Sequence, residues 1–553
     1  MSFIISNGHG GFALLNIQSR FSGVFFEQHG KMYRTLANIK PKKQQKWRDG
    51  GYCVQGDQSS LCFAPNLPVF FYEGGEAEVS LDCREIFDNR QWGRHYVASK
   101  EGDVLLIRFE KRDDTRELEK GEYSCWLAFA GANFSLSQEW VEEKGEFDES
   151  RHSPPFSRWV FKLGKASGSF VMAYAQSRDD AMKLAKQSWQ SRRKLEVEMK
   201  AWASDALELA ESQIERAKHR ASFSLSCLQS QEGIFAGLPW FAQRWSRDEL
   251  ISLKALTMSG DFTLAKSIVM HWLSKLQPKG RIPGTLTATA ADTGWLFVRL
   301  QDVWPKLAAK ERAYCLERLE YFISEIDKSR HNGLVTCGVD ETWMDSVLRG
   351  SARIEINALA LASLKALRDL KKKHSLEADL KKRVRESFLR TQRGSKKVYL
   401  VDGATDELVR PNIFIAAYVY PELLSRQEWI ECFDFALDRL WCDWGGITTL
   451  DKNDPNFVDT HSGEQPRSYH QGDSWYWINN LTAIVLARTD RKRYAKQIDA
   501  IAKASARDIL ELGAIGHHAE LSSAKEQRSE GALAQAWSNA LFIELAQELA
   551  KKS

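Results

Sequence analysis

The chain has 553 residues, enough to bury more than one core, and its 77 lysines and arginines nearly balance 73 aspartates and glutamates, for a net charge of +4. That balance argues against nucleic acid or an anionic membrane as partner; the lysine run at 371–373 and the pair Lys381 and Lys382 fit solvated helix faces. Nine cysteines, odd in number and without CxxC spacing, fit reduced thiols; with no basic-then-apolar leader and no apolar run of membrane length, a cytoplasmic protein is expected.

From about residue 4 to 174, short apolar and aromatic runs at 69–72, 104–109, 126–129, 159–163 and 170–174 alternate with Gly, Asn and Asp clusters. Many short strands divided by turn signals predict an antiparallel β-sandwich over residues 1–177 rather than a parallel α/β sheet. Gly8, Gly10 and Gly11 lack the strand before and the helix after that a phosphate cradle needs, so they read as a tight turn. A charged helical stretch at 178–205 follows, and reads as a linker lying across the surface between two domains.

Beyond residue 206 the pattern is helical. Leu207, Ala210, Ile214, Ala217, Ala221, Leu225 and Leu228 recur at threes and fours, which puts them on one stripe of one helix. The same periodicity predicts about twelve helices, at 206–229, 248–259, 263–276, 292–302, 308–326, 353–371, 375–391, 411–418, 426–440, 470–487, 491–511 and 532–550. Paired into hairpins, they predict an (α/α)6 barrel over residues 206–553, with alternate helices forming an inner and an outer ring. In such a ring, every loop from an odd helix to the next even one lies on the same rim. Those loops, at 239–247, 281–292, 337–351, 401–410, 445–469 and 513–532, hold a disproportionate share of the Trp, Asp and Glu residues outside helices.

The first rim loop is the most unusual. AGLPWFAQRWSRDEL, at 236–250, packs Trp240, Phe241 and Trp245 beside Arg244, Arg247, Asp248 and Glu249. Ring faces suit the C–H side of a sugar, and a guanidinium beside a carboxylate grips hydroxyls. The same residues also fit a structural loop whose Arg-Asp pair is a salt bridge, with tryptophans covering the core. Nineteen tryptophans in all exceed what packing needs, so some are expected to line a ligand surface.

Hydrolysing an acetal takes two carboxyl groups, one protonated to assist the leaving oxygen and one to attack or to activate water. Two rim loops supply candidates. One holds Asp340, Glu341 and Asp345 beside Trp343, an apolar wall able to raise a carboxyl pKa; the other holds Glu520, Glu526 and Glu530 ahead of Trp537. Spacing does not choose among them. No nucleophile elbow is present, and His517-His518 lacks the spacing of a zinc helix and reads as a surface or supporting pair. Tyr469, His470 and Gln471, followed by Trp475 and Trp477, suit a sugar subsite, while Pro411 opens a helix in its favoured first turn.

Taken together, SNGHGGFA, AGLPWFAQRWSRDELISL, ETWMDS, RIEINAL, VRPN, YHQGDSW and LAQAWS resemble, in order, the motifs of archaeal and bacterial glycogen debranching enzymes in their amylo-alpha-1,6-glucosidase portion. The likeness spans Ser6 to Ser538, with Ser246 where the family usually has glycine. It implies a β-sandwich packed on a catalytic (α/α)6 barrel, inversion at the anomeric carbon, a glycogen-like α-glucan substrate and no metal or organic cofactor. Carried over residue by residue, it implies Asp345 as general acid and Glu520 as general base, with Glu526 and Glu530 as alternatives for the base. Arg247 and Asp248 would hold the terminal glucose, and Trp240, Trp245, Asp292, Trp343, Glu355, Tyr469, His470, Gln471 and Trp537 would complete the subsite. Inversion requires the carboxyls to lie ~6.5–9.5 Å apart. The chain shows no β/α-barrel transferase part, so trimming of a branch already shortened to one or a few glucoses, or direct action on short oligosaccharides, is expected. The alternatives are a glucoamylase-like or trehalase-like glucosidase, a disaccharide phosphorylase on the same scaffold, or a glycogen-binding protein without turnover.

Overall fold

The computed structural model describes residues 2–112, 122–204, 210, 212–284, 288–370 and 374–551. The 371–373 lysine run and residues 206–209, the start of the first predicted barrel helix, lie outside them. The chain opens with β1 (Phe3–Ser6), β2 (Gly11–Leu15), β3 (Gly23–Gln28) and β4 (Lys31–Pro41). Five strands follow, β5 (Arg48–Asp49), β6 (Cys53–Gln55), β7 (Ser60–Phe63), β8 (Val69–Glu73) and β9 (Glu76–Leu81). The series ends with β10 (Arg94–Glu101), β11 (Val104–Lys111), β12 (Tyr123–Ala130), β13 (Phe134–Lys144), β14 (Ser157–Ser167) and β15 (Phe170–Ala175). They form two antiparallel sheets, ordered β1-β2-β3-β4-β9-β14-β13 and β10-β11-β12-β15-β8-β7-β6-β5. This is the expected sandwich.

The first strands are buried on both faces, which explains why their sequences run apolar instead of alternating. Phe3, Ile5, Ala13, Val24 and Phe26 point into the core between the sheets. Their neighbours Ile4, Phe12, Leu14 and Phe25 point the other way, into the core of the helical part. Each of these large side chains contributes about 1.5–3 kcal/mol by burial, so the sandwich and the helices form one packed body.

Between β13 and β14 sits the short helix α1 (Glu146–Ser150), and after β15 comes α2 (Arg178–Trp202), capped by Ser177, whose hydroxyl accepts from Asp180 N–H. The sequence suggests a connector between domains. The structure instead lays α2 along β11, β12 and β15, with Ala181, Ala185, Leu195 and Met199 buried, because its apolar stripe finds a sheet face to cover.

Twelve helices make up the rest of the described fold. They are α3 (Gln213–Cys227), α4 (Ser246–Met258), α5 (Phe262–Ser274), α6 (Gly294–Val303), α7 (Ala309–Lys328) and α8 (Ile354–Asp369), then α9 (Leu376–Phe388), α10 (Asn412–Val419), α11 (Arg426–Leu440), α12 (Tyr476–Asp490), α13 (Ala495–Glu511) and α14 (Ala536–Ala550). The even-numbered helices pack side to side, α4 on α6, α6 on α8, α8 on α10, α10 on α12, α12 on α14 and α14 back on α4, closing the inner ring of an (α/α)6 barrel. Inner helices are buried on most sides, polar residues included: α8 is buried without a break from Ile354 to Leu364. Outer helices such as α13 keep a stripe.

Periodicity places two inner helices too early. Predicted to start at 470 and 532, α12 and α14 begin at Tyr476 and Ala536, because the residues before them pair as strands. Ser474–Trp475 ladder with Leu521–Ser522, and Gly237–Leu238 with Ala534–Gln535, the second pair tying the first hairpin to the last. His517 and His518 are buried, contrary to a surface pair. His517 Nδ1 meets Ser224 Oγ at 2.8 Å and its Nε2 meets Ile4 O at 3.0 Å, joining β1 to α3; His518 Nδ1 meets Asp508 at 2.7 Å. No described helix is long and apolar enough to cross a membrane.

Candidate active site

Asp345 sits in the loop before α8, and four neighbours fix that loop. Thr342 O accepts from Arg247 Nη1 at 2.8 Å, and Thr342 Oγ1 accepts from Arg349 Nη1 at 3.0 Å. The Trp343 indole N–H donates to Asn412 Oδ1 at 2.7 Å, and Ser346 Oγ meets His470 Nδ1 at 2.7 Å. Arg349 is held in turn by Asp402 and Glu355, with Nη2 2.9 Å from Glu355 Oε1. The Asp345 side chain keeps 35% of its surface accessible and lines the cleft. Burial raises its carboxyl above the usual range, against the pull of Arg247 Nη1 at 3.4 Å.

Glu520 precedes the strand pair with Ser474–Trp475 and is fully buried. Tyr469 O–H donates to its Oε1, and Ala532 N–H donates to Oε2 at 2.8 Å. Burial pushes this carboxyl up to about 7 although both donors favour the charged form. A glutamate at that value is poised to take a proton near neutral pH, and each oxygen still has a lone pair for water. Gly531 makes the approach possible: at φ +67° its missing Cβ would lie 2.3 Å from Glu520 Oε2.

Both carboxyls line one cavity of about 230 Å³, below the ~300–1,000 Å³ usual for drug-sized ligands and scaled to a small ring. Trp245, Trp343, Trp475, Trp537 and Phe241 wall it. Trp343 meets Trp475 edge to face at 5.5 Å, and Trp537 stacks on buried Trp477 at 5.0 Å, so the rings are fixed in orientation. Arg247, Asp248 and Gln535 supply polar atoms. Gln535 Nε2 donates to Asp248 Oδ1 at 2.8 Å, and burial pushes the Asp248 carboxyl up to about 8 despite Arg247.

Of the residues singled out from sequence, Asp345, Glu520, Trp245, Arg247, Asp248, Trp343, Tyr469 and Trp537 thus meet around this cavity. The others lie elsewhere. Asp292 stands behind it, 3.2 Å from Arg247 Nε. Glu355 lies beneath, in the Arg349 network, and His470 is buried with its ring stacked on Trp475. Gln471 turns to Arg467 O, at 3.4 Å. Trp240 faces a neighbouring chamber with Arg151 over its ring. Glu526 is exposed and paired with Arg528, while Glu341 binds Arg281, leaving both outside the cavity. Phe241 and Trp475, which lie in the two stretches whose rings suit a sugar, also wall the cavity; Gln535 is a wall residue that the sequence did not mark, although the signal was available, two residues before Trp537 in LAQAWS.

A family model described as amylo-alpha-1,6-glucosidase matches residues 214–544, more than half of the chain. The chain belongs to the amylo-alpha-1,6-glucosidase family. Among solved structures, a bacterial glucoamylase complexed with acarbose aligns over 99% of this chain and 93% of its own, with a TM-score of 0.68 at 12% identity. This is a likeness of fold, the sandwich included. The GH63 mannosylglycerate hydrolase of Thermus thermophilus aligns over 60% of this chain and 99% of its own, with a TM-score of 0.45 at 12% identity. No curated protein matches in sequence. The family member is a six-hairpin glycoside hydrolase in architecture, and its barrel mouth carries the aromatic cavity with two carboxyls.

Proposed function

We propose that this family member hydrolyses α-1,6-linked glucose stubs of a glycogen-like α-glucan with inversion. The observation that carries the reading is the pair Asp345 and Glu520, both opening into one small cavity walled by tryptophans. Arg247 and Asp248 hold the hydroxyls of the terminal glucose. Asp345, whose carboxyl burial raises above the usual range, gives its proton to the glycosidic oxygen as the C1–O bond breaks. Glu520 takes a proton from a water that attacks C1 from the other face, so the product is β-glucose and both carboxyls have exchanged protonation states. A proton returned through solvent resets the pair.

The test is glucose release from phosphorylase limit dextrin and from isomalto- and malto-oligosaccharides, with the anomer read by nuclear magnetic resonance in the first turnovers. β-Glucose from the α-1,6-linked substrates is expected. Turnover confined to maltose-type substrates would move the linkage to α-1,4, phosphate-dependent release of glucose 1-phosphate would make the enzyme a phosphorylase, and silence on every substrate would leave a binding protein.

A further inference from the structure

Glu520 lines a second chamber of about 420 Å³ as well as the catalytic cavity, and His461, Tyr469 and Gly531 line that chamber with it. The His461 side chain comes from the rim loop between α11 and α12. Its place beside the base is fixed by contacts on two sides. Two residues before it, Asp459 O accepts from Ser523 Oγ at 2.8 Å and from Lys525 N–H at 2.9 Å, which ties its segment to the one that follows Glu520. On the other side, His461 Nδ1 meets Asp473 Oδ2 at 2.7 Å.

Asp473 is itself anchored. It is fully buried, and its Oδ2 also accepts from Ser468 Oγ at 2.7 Å. It directly precedes the pairing of Ser474–Trp475 with Leu521–Ser522, and beyond that pair Tyr476 N–H donates to Glu520 O at 3.2 Å. Gly472 lets the two stretches of loop meet: Val458 N–H donates to Gln471 O at 2.8 Å, and a Cβ on Gly472 would overlap Val458 O. The hydrogen bond at Nδ1 fixes the orientation of the ring. Its Nε2 has no protein partner among the described residues, and only 9% of the side chain is accessible.

The charges around the pair follow from this packing. Burial would lower the His461 imidazole, but the Asp473 hydrogen bond and charge, with Glu530 and Glu520 acting in the same sense, raise it above its ordinary value. Around Glu520 the balance runs the other way. Burial sets that carboxyl high, and the Tyr469 and Ala532 donors, then the charges of His461 and Arg151, pull it down to about 7. Asp248 faces it from the cavity with the opposite effect, while Glu464, paired with Arg151, and Arg20 complete the charged lining of the chamber. A buried glutamate without such a counter-charge would be protonated at neutral pH and could accept nothing from water.

We propose that His461, oriented by Asp473, is a positioning residue for the base, supplying from the chamber side the counter-charge that keeps the Glu520 carboxylate ready to take a proton. The inference rests on the hydrolytic reading above, in which Glu520 is that base.

The test has a kinetic arm and a titration arm. In H461Q the lost charge lets the Glu520 carboxyl rise, so the acidic limb of kcat/KM on isomaltose is expected to move up by about one pH unit. At pH 6 this reads as a loss of roughly tenfold, and at pH 9 the rate should lie within about twofold of the parent. A loss of equal size at every pH is what a merely structural role would give, and it would overturn the proposal. The second arm follows the His461 ring by nuclear magnetic resonance in the parent and in E520Q, the resonance being identified by its loss in H461Q, or in H461N where H461Q does not fold. Because coupled groups shift each other equally, His461 should titrate about one unit lower in E520Q. An unchanged titration would overturn the proposal. A parent without turnover defeats the hydrolase reading, whereas the ring titration needs no turnover and still decides whether His461 and Glu520 act on each other.

Discussion

The catalytic cavity and the chamber beside it are built from different material. The cavity takes its lining from rim loops of one barrel, far apart in sequence but brought together by the closure of α14 on α4. The chamber takes part of its lining from a second fold, through a one-turn helix and the strand connections of the sandwich. Their charges differ as well. Inside the cavity burial raises the carboxyls of Glu520, Asp248 and Asp345, whereas in the chamber Glu464 stays accessible beside Arg151. The difference separates two environments: burial raises the carboxyls of the cavity, while the chamber keeps a carboxyl accessible.

Substitutions in the cavity should therefore affect every substrate. The largest effect is expected at the carboxyls. E520Q should lower kcat by about 10³-fold or more on isomaltose and α-glucosyl fluoride alike. D345N should match it on isomaltose but spare more of the fluoride reaction, since fluoride departs with little need of a proton; equal losses would exclude Asp345 as the acid.

Next comes Gly531→Ala. Its φ of +67° disfavours any side chain by roughly 1–2 kcal/mol, and the added Cβ must displace Glu520 Oε2. A lower Tm and a loss of about tenfold in kcat on both substrates are expected, and wild-type rates would show that the position of this carboxyl is unimportant.

A pH profile sharpens the comparison further. Tyr469 O–H donates to Glu520 and favours its ionised form, so removing that donor in Tyr469→Phe raises the carboxyl above its value of about 7. The acidic limb of kcat/KM should move to higher pH. A limb that fails to move would assign it to another group. The smallest effect is predicted for E526Q: its carboxylate is 55% accessible and pairs with Arg528, so rates within about twofold of the parent are expected. A large loss there would return Glu526 to contention as the base.

The loop at 236–250 shows how far residue chemistry can be read without coordinates. Its charged residues divide between two surroundings. Arg247 and Asp248 face the cavity, while Arg244 clasps Glu249, which also accepts from Ile234 N–H and the Trp272 indole. In the first turn of a helix buried on all sides, adjacent side chains point to different surroundings, and one-letter spacing does not tell which faces solvent. Glu355 and His470 illustrate the same limit. Both carry the polar character of a binding residue, and both are spent on holding the Asp345 loop, Glu355 through Arg349 and His470 through Ser346.

The sequence alone determined the two-part architecture and the helical ring. Those follow from local periodicity: short apolar runs with turn signals in one half, and threes-and-fours spacing with hairpin loops in the other. Only the tertiary structure decided which acids share a cavity, where α2 lies, and that Arg151 and Phe87 line the same chamber as Glu520. The physical reason is that burial, which raises a carboxyl pKa or leaves a guanidinium donor unmet, comes from every segment packed around a group. Arg151 and its partner Glu464 lie 313 residues apart in the chain, beyond the reach of any local pattern.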